Sequence, residues 1–389
     1  MKQYVLLFLF LLTTIITLGQ QRPLSPQAEI SVLTIGPGDN LNDAFGHNGF
    51  RIKDNQLGLD VVYGYGEYDF DTPNFYLKFA QGKLNYLISK HSFSQFYKTY
   101  QYYDRTIEEQ VLNLSTSEKQ QLYDYLVTNY KPENRKYLYD FFYDNCATKI
   151  RDVAKITTDN AIVFSTPKDY TPQTFRQLIH EHVGLNSWGS FGIDMALGSV
   201  IDRKATPYEQ MFLPKYIHDF FEETKTDHSE NFVKKSTTIY KKKKPNNSAN
   251  FILSPLMIMS LVAVLILFVT YSDKKHKRRS TWLDVAIFGL TGLLGILMLF
   301  LWFGTNHSAT AQNYNMLWAF PLNLFMIGQL LKPKVKTWFK SYLKFLIIMF
   351  FLLTLHWIIG VQVFAIALIP LLMALFVRYI YILKYFNRA

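Results

Sequence analysis

The sequence contains one stretch that decides the fold of its amino-terminal part, Tyr139-Asp140-Phe141-Phe142-Tyr143-Asp144-Asn145-Cys146-Ala147-Thr148-Lys149-Ile150-Arg151-Asp152. An aromatic, strand-like run breaks at Asp-Asn and continues with helical periodicity, so Cys146 begins a predicted helix and Asn145 is its N-cap. Unpaired amides and the helix dipole at this position favour a thiolate and stabilise an oxyanion. Cysteine is more often a buried core residue, but polar neighbours argue against a dry niche here. We interpret Cys146 as a nucleophile.

The amino terminus indicates an exported protein. Residues 1–19 combine an early Lys2 with a short apolar run and small or hydroxyl residues near its end, which is typical of a secretory signal peptide. The alternative is an uncleaved anchor, and either kind of segment would export the domain after it. Cys146 is the only cysteine in the chain and therefore cannot form an internal disulfide.

The carboxyl-terminal part, residues 251–389, is predicted to be an all-α transmembrane domain of about five helices. The third segment is short and contains Pro321 and Asn323, so a tilted, kinked or re-entrant path is open. Basic clusters lie between spans and place the amino-terminal domain outside the cytoplasmic membrane, in the periplasm. These clusters account for the net charge of +11 without a nucleic-acid partner. The predicted spans are 251–271, 283–303, 316–331, 343–359 and 361–383.

Between these parts, residues 20–223 are predicted to form an α+β domain, and the polar residues 224–250 are predicted to be a linker. Strand patterns and helical patterns alternate along the domain. The expected strands are 29–35, 48–53, 59–65, 83–89 and 107–114. The expected helices are 93–103, 117–130, 148–154 and 174–183.

A thiol nucleophile requires an imidazole partner, and His47 is the strongest candidate. It lies between two glycines in Phe45-Gly46-His47-Asn48-Gly49, which lets the backbone approach another group closely and keeps the ring accessible. His91 is interpreted as a loop residue. The spacing of His180 and His182 does not match a metal-binding helix motif, and we expect no metal site.

The residue that orients the imidazole is not fixed by spacing. Tyr63 lies on the next predicted strand, Glu67 and Asp69 follow at its end, and each has a side chain able to hold one tautomer. Asp69 is the favoured candidate for orienting the imidazole. The alternative for each of the three is a surface residue that only forms hydrogen bonds. His307, in the polar loop after the second span, is a candidate for binding phosphate or orienting an amine.

Several motifs together resemble those of Lnb-type lipoprotein N-acyltransferases. They are Phe45-Gly46-His47-Asn48-Gly49-Phe50-Arg51, Gly64-Tyr65-Gly66-Glu67-Tyr68-Asp69-Phe70, Asp144-Asn145-Cys146-Ala147-Thr148-Lys149-Ile150-Arg151-Asp152, Thr305-Asn306-His307 and Leu317-Trp318-Ala319-Phe320-Pro321-Leu322-Asn323. The resemblance implies a circularly permuted papain-like domain, similar to NlpC-type peptidases and lecithin:retinol acyltransferase, with the histidine strand before the cysteine helix. Candidate orienting or substrate-binding residues within the motifs are Asn48, Arg51, Asn145 and Arg151. This chain departs from the family pattern at Asn48, where a small or hydroxyl residue is typical, and at Gly64, where a polar one is expected.

The resemblance also implies an activity. A membrane phospholipid would donate an acyl chain through a Cys146 thioester to the α-amino group of the lipid-modified cysteine that opens a bacterial lipoprotein. His47 would act as the base, and no cofactor is expected. Two other classes are open: a membrane-anchored cysteine hydrolase, such as a cell-wall peptidase or phospholipase, and a receptor or scaffold without enzymatic activity.

Overall fold

The computed structural model describes residues 22–159, 161–226, 230–244 and 251–388, so the predicted signal peptide lies outside the described residues. In the described part of the amino-terminal domain, an antiparallel sheet of seven strands has the order β6-β4-β3-β2-β1-β5-β9. Two short strands, β7 and β8, pair separately. The strands are β1 (Glu29–Ile35), β2 (His47–Asp54), β3 (Leu59–Tyr68), β4 (Asn85–Ser92), β5 (Ile107–Leu112), β6 (Lys136–Leu138), β7 (Ile162–Val163), β8 (Lys225–Thr226) and β9 (Val233–Tyr240).

Helices cover both faces of the sheet and confirm the α+β class. The cysteine helix α4 (Cys146–Thr157) packs on β2 and β3, together with α3 (Thr116–Tyr130) and α8 (Pro214–Glu223). Helix α2 (Phe93–Tyr102) packs against β3 and β4. Alternation along the strands sends successive side chains to these two faces, which we call the α4 face and the α2 face. The helices of this domain are α1 (Phe75–Ala80), α2 (Phe93–Tyr102), α3 (Thr116–Tyr130), α4 (Cys146–Thr157), α5 (Phe175–His180), α6 (Trp188–Ala196), α7 (Pro207–Gln210) and α8 (Pro214–Glu223).

The prediction of a linker over residues 224–250 is wrong for part of that range. Residues Val233–Tyr240 form strand β9, which pairs with β5 and ends the sheet. Its sequence resembles a stalk because most of its side chains are polar and exposed, with only Val233 and Tyr240 buried. A charged edge strand protects a sheet from pairing with other chains, and its sequence therefore looks like a linker.

The carboxyl-terminal domain is helical, as predicted. Among the described residues, four helices are long and apolar enough to cross a membrane. The predicted third span is instead a broken segment, with a 3-10 turn at Tyr314–Leu317 and the short helix α11 (Asn323–Leu330). The four long helices are α9 (Pro255–Lys275), α10 (Thr281–Phe303), α12 (Thr337–Ile358) and α13 (Leu368–Arg388).

The broken segment lies in a groove of α10 that two glycines create. A side chain at Gly292 would clash with the backbone of Leu324, and one at Gly295 with the backbone of Ala319 and Pro321. Within the groove, buried Asn323 donates to Thr291 Oγ1 at 2.8 Å. A polar, irregular segment is tolerated at membrane depth only where protein surrounds it.

The loop between α10 and α11 joins the two domains. Asn306 N–H donates to the Gln81 carbonyl at 2.8 Å, and Gly198 N–H donates to the Ala309 carbonyl at 2.9 Å. The Ser308 hydroxyl donates to an Asp140 carboxylate oxygen at 2.7 Å. The loop after α10 therefore contacts the segment that leads into the cysteine helix.

Candidate active site

The start of α4 is built around Asn145. Its side-chain oxygen accepts from the N–H groups of Ala147 and Thr148, each at 2.9 Å, as an N-cap does. Its side-chain nitrogen donates to the carbonyls of Phe141 and Phe212 at 2.7 and 2.8 Å. Asn145 thus fixes the helix start relative to the preceding loop and to the segment before α8. The predicted N-cap is confirmed.

The Cys146 sulfur lies near three backbone N–H groups, those of Asn48, Ala147 and Cys146 itself, which favour its thiolate form. Burial raises the pKa of the Cys146 thiol to about 11, and these N–H groups and the charge of Arg105 offset the rise only in part. The thiol is therefore protonated at neutral pH in the resting site. The same donors are suited to an oxyanion that forms on a carbonyl carbon bonded to the sulfur.

His47 is the first residue of β2, directly after Gly46. Gly46 has a φ of 85°, and any side chain there would press against the Ile35 carbonyl, so only glycine fits. The imidazole lies over Gly64, where a Cβ would be 3.2 Å from Nε2. It also stacks on Tyr100, with ring centroids 6.5 Å apart. Gly64, which departs from the family pattern, therefore provides the space that the ring occupies.

Burial lowers the pKa of His47 to about 4, and the charge of Arg105 acts in the same direction. The imidazole is consequently neutral at physiological pH and can accept a proton. The candidate base and the candidate nucleophile are therefore both uncharged at neutral pH.

The structure brings Cys146 and His47 to one place from opposite faces of β2. The sulfur lies near the N–H of Asn48, beside the peptide that joins His47 to Asn48. The His47 side chain projects toward Tyr100 of α2 on the other face. In the described residues no hydrogen bond joins the sulfur to the imidazole, which is common in unliganded cysteine and serine sites.

Arg105 is a site residue that the sequence did not reveal. Its side chain is 6% exposed and stacks on Tyr100, with Cζ 5.1 Å from the ring centroid. Nε donates to the Gly36 carbonyl at 2.9 Å, while Nη2 is buried without a hydrogen-bond partner among the described residues. Its positive charge acts on both His47 and Cys146. In the sequence, Tyr103-Asp104-Arg105-Thr106 looks like a surface turn, and only the fold reveals that Arg105 is buried.

A cavity of about 360 Å³ opens beside His47 on the α2 face. Glu67 and His91 form a hydrogen bond in it, with 2.7 Å between Oε1 and Nε2. Glu67 is one of the predicted orienting candidates. The prediction of a loop at His91 is wrong, because His91 lies within β4 and pairs with Val62 of β3. The cavity is lined by His47, Val62, Gly64, Tyr65, Gly66, Glu67, Ser89, His91, Gln95, Phe96, Thr99 and Tyr100.

Two family models match this chain over most of its length. The model described as the Lnb N-terminal periplasmic domain matches residues 21–181, and the model described as the Lnb transmembrane domain matches residues 246–389. The chain belongs to the Lnb family. No curated protein and no solved structure matched it in the corresponding searches.

In this Lnb-family protein, two candidate orienting residues lie away from His47. The Asp69 carboxylate pairs with Lys136 at 3.0 Å, beyond the end of β3. Tyr63 pairs in register with Phe50 on the α4 face and is fully buried in the core. Successive residues of a strand point to opposite faces of the sheet. The Tyr63 side chain therefore lies on the face opposite His47, although the two residues are on adjacent strands.

The remaining candidates from the cysteine and histidine motifs have structural partners. Arg51 pairs with Asp60 and Glu109 at 2.8 and 3.0 Å. Arg151 pairs with Asp152 at 2.7 Å and lies over the Tyr208 ring. These arginines hold strands and helices together around the site.

Asn48 and His307 have different positions relative to the site. The side chain of Asn48 donates to Thr34 Oγ1 at 2.9 Å, while its backbone N–H reaches the Cys146 sulfur. His307 Nε2 lies 3.2 Å from the Ala80 carbonyl oxygen, in the loop that joins the two domains. His307 therefore contacts the soluble domain at α1.

Proposed function

We propose that this protein is a lipoprotein N-acyltransferase with Cys146 as its nucleophile. Three backbone N–H groups converge on a cysteine sulfur beside His47, and this observation carries the proposal. Such an arrangement suits an acyl group held on sulfur, because the donors oppose negative charge on the former carbonyl oxygen. The transmembrane domain and the family support substrates that reside in a membrane.

In the first half-reaction, His47 takes the thiol proton as the sulfur attacks the carbonyl carbon of a phospholipid ester. A carbon–sulfur bond forms, the ester carbon–oxygen bond breaks, and the proton on His47 passes to the leaving lysophospholipid oxygen. Because the imidazole lies over Gly64 in the resting site, proton transfer requires the ring to turn toward the sulfur or to act through one water molecule. The neutral state of His47 is the one this step needs.

In the second half-reaction, the α-amine of the diacylglyceryl-modified lipoprotein attacks the thioester. A carbon–nitrogen bond forms, the carbon–sulfur bond breaks, and His47 passes the amine proton to the departing sulfur. We propose that the amine reaches His47 through the cavity on the α2 face. Glu67 supports this assignment, because its carboxylate attracts the ammonium form of the substrate into that cavity, and the ammonium loses one proton to water before the neutral amine attacks.

The test uses the purified full chain in phospholipid vesicles with a synthetic diacylglyceryl-cysteine peptide. Intact mass should show one acyl group on wild-type protein before the peptide is added, and its loss to the peptide afterwards. Cys146→Ala should show neither event, and His47→Asn should slow both. His276→Asn is the matched control, since His276 is an exposed histidine in the loop between α9 and α10.

Other outcomes separate the alternatives. Acyl release to water in the presence of peptide would indicate a phospholipase. An unmodified Cys146 under all conditions, with peptide acylation unchanged in Cys146→Ala, would contradict the proposal.

A further inference from the structure

Helix α1 and the end of β3 carry an exposed group of large apolar side chains that the mechanism has not used. We call this group the α1 aromatic patch; it consists of Tyr68, Phe70, Phe75, Tyr76, Leu77 and Phe79. Tyr76 is 84% exposed and Phe70 72% exposed, and no residue of α1 is buried by the described part of the chain. An exposed apolar surface of this kind indicates a partner.

The patch lies beside the end of a transmembrane helix. Directly after α1, the Gln81 carbonyl accepts from Asn306 N–H at 2.8 Å, and His307 lies against the Ala80 carbonyl at 3.2 Å. Asn306 follows the end of α10 at Phe303 by three residues, and Trp302 and Phe303 stack there. Aromatic side chains at the end of a span mark the membrane–water interface.

We propose that the α1 aromatic patch inserts into the adjacent bilayer leaflet and admits phospholipid acyl chains to Cys146. This inference rests on the proposed function for the identity of the molecule that enters, but the membrane contact stands on the geometry of α1. Lys78 lies within α1 and Lys83 follows it, which places positive charge where anionic phosphates lie. The partner of the α1 aromatic patch is therefore a phospholipid surface.

A continuous series of aromatic rings leads from the patch toward the cysteine. Tyr68 contacts Tyr86, with centroids 4.8 Å apart, and Tyr86 stacks on Tyr139 at 4.1 Å. Beyond Tyr139, Asp140 and Asp144 pair as an antiparallel bridge, which returns the chain to Asn145 and Cys146. In this proposal, an acyl chain follows these rings from the patch toward the sulfur.

This route and the cavity beside His47 lie on different faces of the sheet. Tyr68 pairs with Tyr86, whose side chain shares the α4 face with Ile88, while the Glu67 side chain contacts His91 in the cavity. Glu67 and Tyr68 are consecutive residues after the bulge at Gly66, so their side chains point to opposite faces of the sheet. Donor lipid and acceptor amine therefore approach the Cys146 thioester from opposite sides of β3.

Cys146 is the only cysteine, so a Cys146→Ser background allows a nitroxide to be attached at one chosen position. Tyr76→Cys reports on the patch. Asn55→Cys is the matched control, because Asn55 is exposed in the turn at the opposite end of β2 from His47. In vesicles of phosphatidylethanolamine and phosphatidylglycerol, the label at position 76 should be relaxed by oxygen and protected from a water-soluble nickel chelate. Equal nickel access at both positions would overturn the membrane contact.

The lipid route is tested with Cys146 intact. Replacing Phe70, Tyr76 and Leu77 together by Ser should slow acylation of Cys146 from vesicle phospholipid by at least about tenfold. Acylation from dibutanoyl phosphatidylethanolamine, which is monomeric in water, should remain within about twofold. Equal loss with both donors, or loss with neither, would overturn the route. If wild-type Cys146 accepts no acyl group from either donor, the proposed function fails, and the spin-label result still decides the membrane contact.

Discussion

The backbone N–H of Asn48, on β2, lies near the sulfur of Cys146 at the start of α4 and favours its thiolate form. This approach places the candidate nucleophile against the strand that begins with His47. Because the donor is a main-chain group of a central strand, its position depends on the sheet and not on a side-chain rotamer. A preorganised donor of this kind costs no reorganisation when charge develops on the substrate.

The rate of Cys146 acylation should stay nearly constant from about pH 8 down to about pH 5. His47 must be neutral to accept the thiol proton, and its pKa is lowered to about 4 by burial and Arg105. The neutral fraction therefore falls only as the pH approaches 4, whereas an ordinary histidine loses it near about 6.5. Single-turnover acylation by phospholipid, followed by intact mass, measures this profile without the acceptor amine. A decline centred near pH 6.5 would contradict the assignment of His47 as a buried neutral base.

Arg105→Gln should slow alkylation of Cys146 by iodoacetamide at pH 8. The positive charge of Arg105 lowers the pKa of the thiol, so its removal raises that pKa and reduces the thiolate fraction. Each unit of increase corresponds to about a tenfold lower thiolate fraction. Arg105→Lys should retain most of the rate, because it keeps the charge. An unchanged alkylation rate in Arg105→Gln, with an unchanged melting temperature, would show that Arg105 does not act on the sulfur.

Asn145→Ala should reduce both stability and activity. It removes two helix-capping hydrogen bonds and two bonds from the side-chain nitrogen. The cap alone is worth about 1 kcal/mol of unfolding free energy. Ser115→Ala is the control, since the Ser115 hydroxyl caps α3 by accepting from Glu118 N–H. Thermal unfolding should fall for both variants, while Cys146 acylation should fall only for Asn145→Ala. Equal acylation rates in the two variants would show that the cap serves stability alone.

Glu67→Gln should slow transfer to the peptide without slowing acylation of Cys146. The variant keeps the shape of the side chain but removes the negative charge that faces the cavity. Its hydrogen bond with His91 is about half-exposed and can be kept by the amide, so little stability should be lost. The two half-reactions are measured separately by intact mass, and Glu133→Gln, a change at an exposed glutamate on the loop after α3, provides the charge-matched control. A slower first half-reaction would place the donor, not the acceptor, in this cavity.

Local patterns in the sequence were sufficient for the regular elements near the site. β1 has the predicted bounds, and the predicted helix over 93–103 corresponds to α2. Periodicity of hydrophobic residues, turn signals and N-caps are properties of neighbouring residues, so one sequence contains them. The sequence left the path of the third segment open and missed β9, because both depend on partners distant in sequence, the groove of α10 and the edge of β5.

For the candidate site, the sequence by itself determined the candidate nucleophile, its N-cap and the histidine. Each carries a local signature: an unpaired cysteine at a helix start, an asparagine before it, and a histidine between glycines. Only the tertiary structure decided that Asn48 N–H meets the sulfur and that Arg105 is buried beside it. It also placed Asp69 against Lys136 and brought Glu67 and His91 to the cavity. The pKa shifts depend on distances between residues that are far apart in the sequence, and which side chains meet depends on the face of the sheet they share. The order of residues alone does not give either of these.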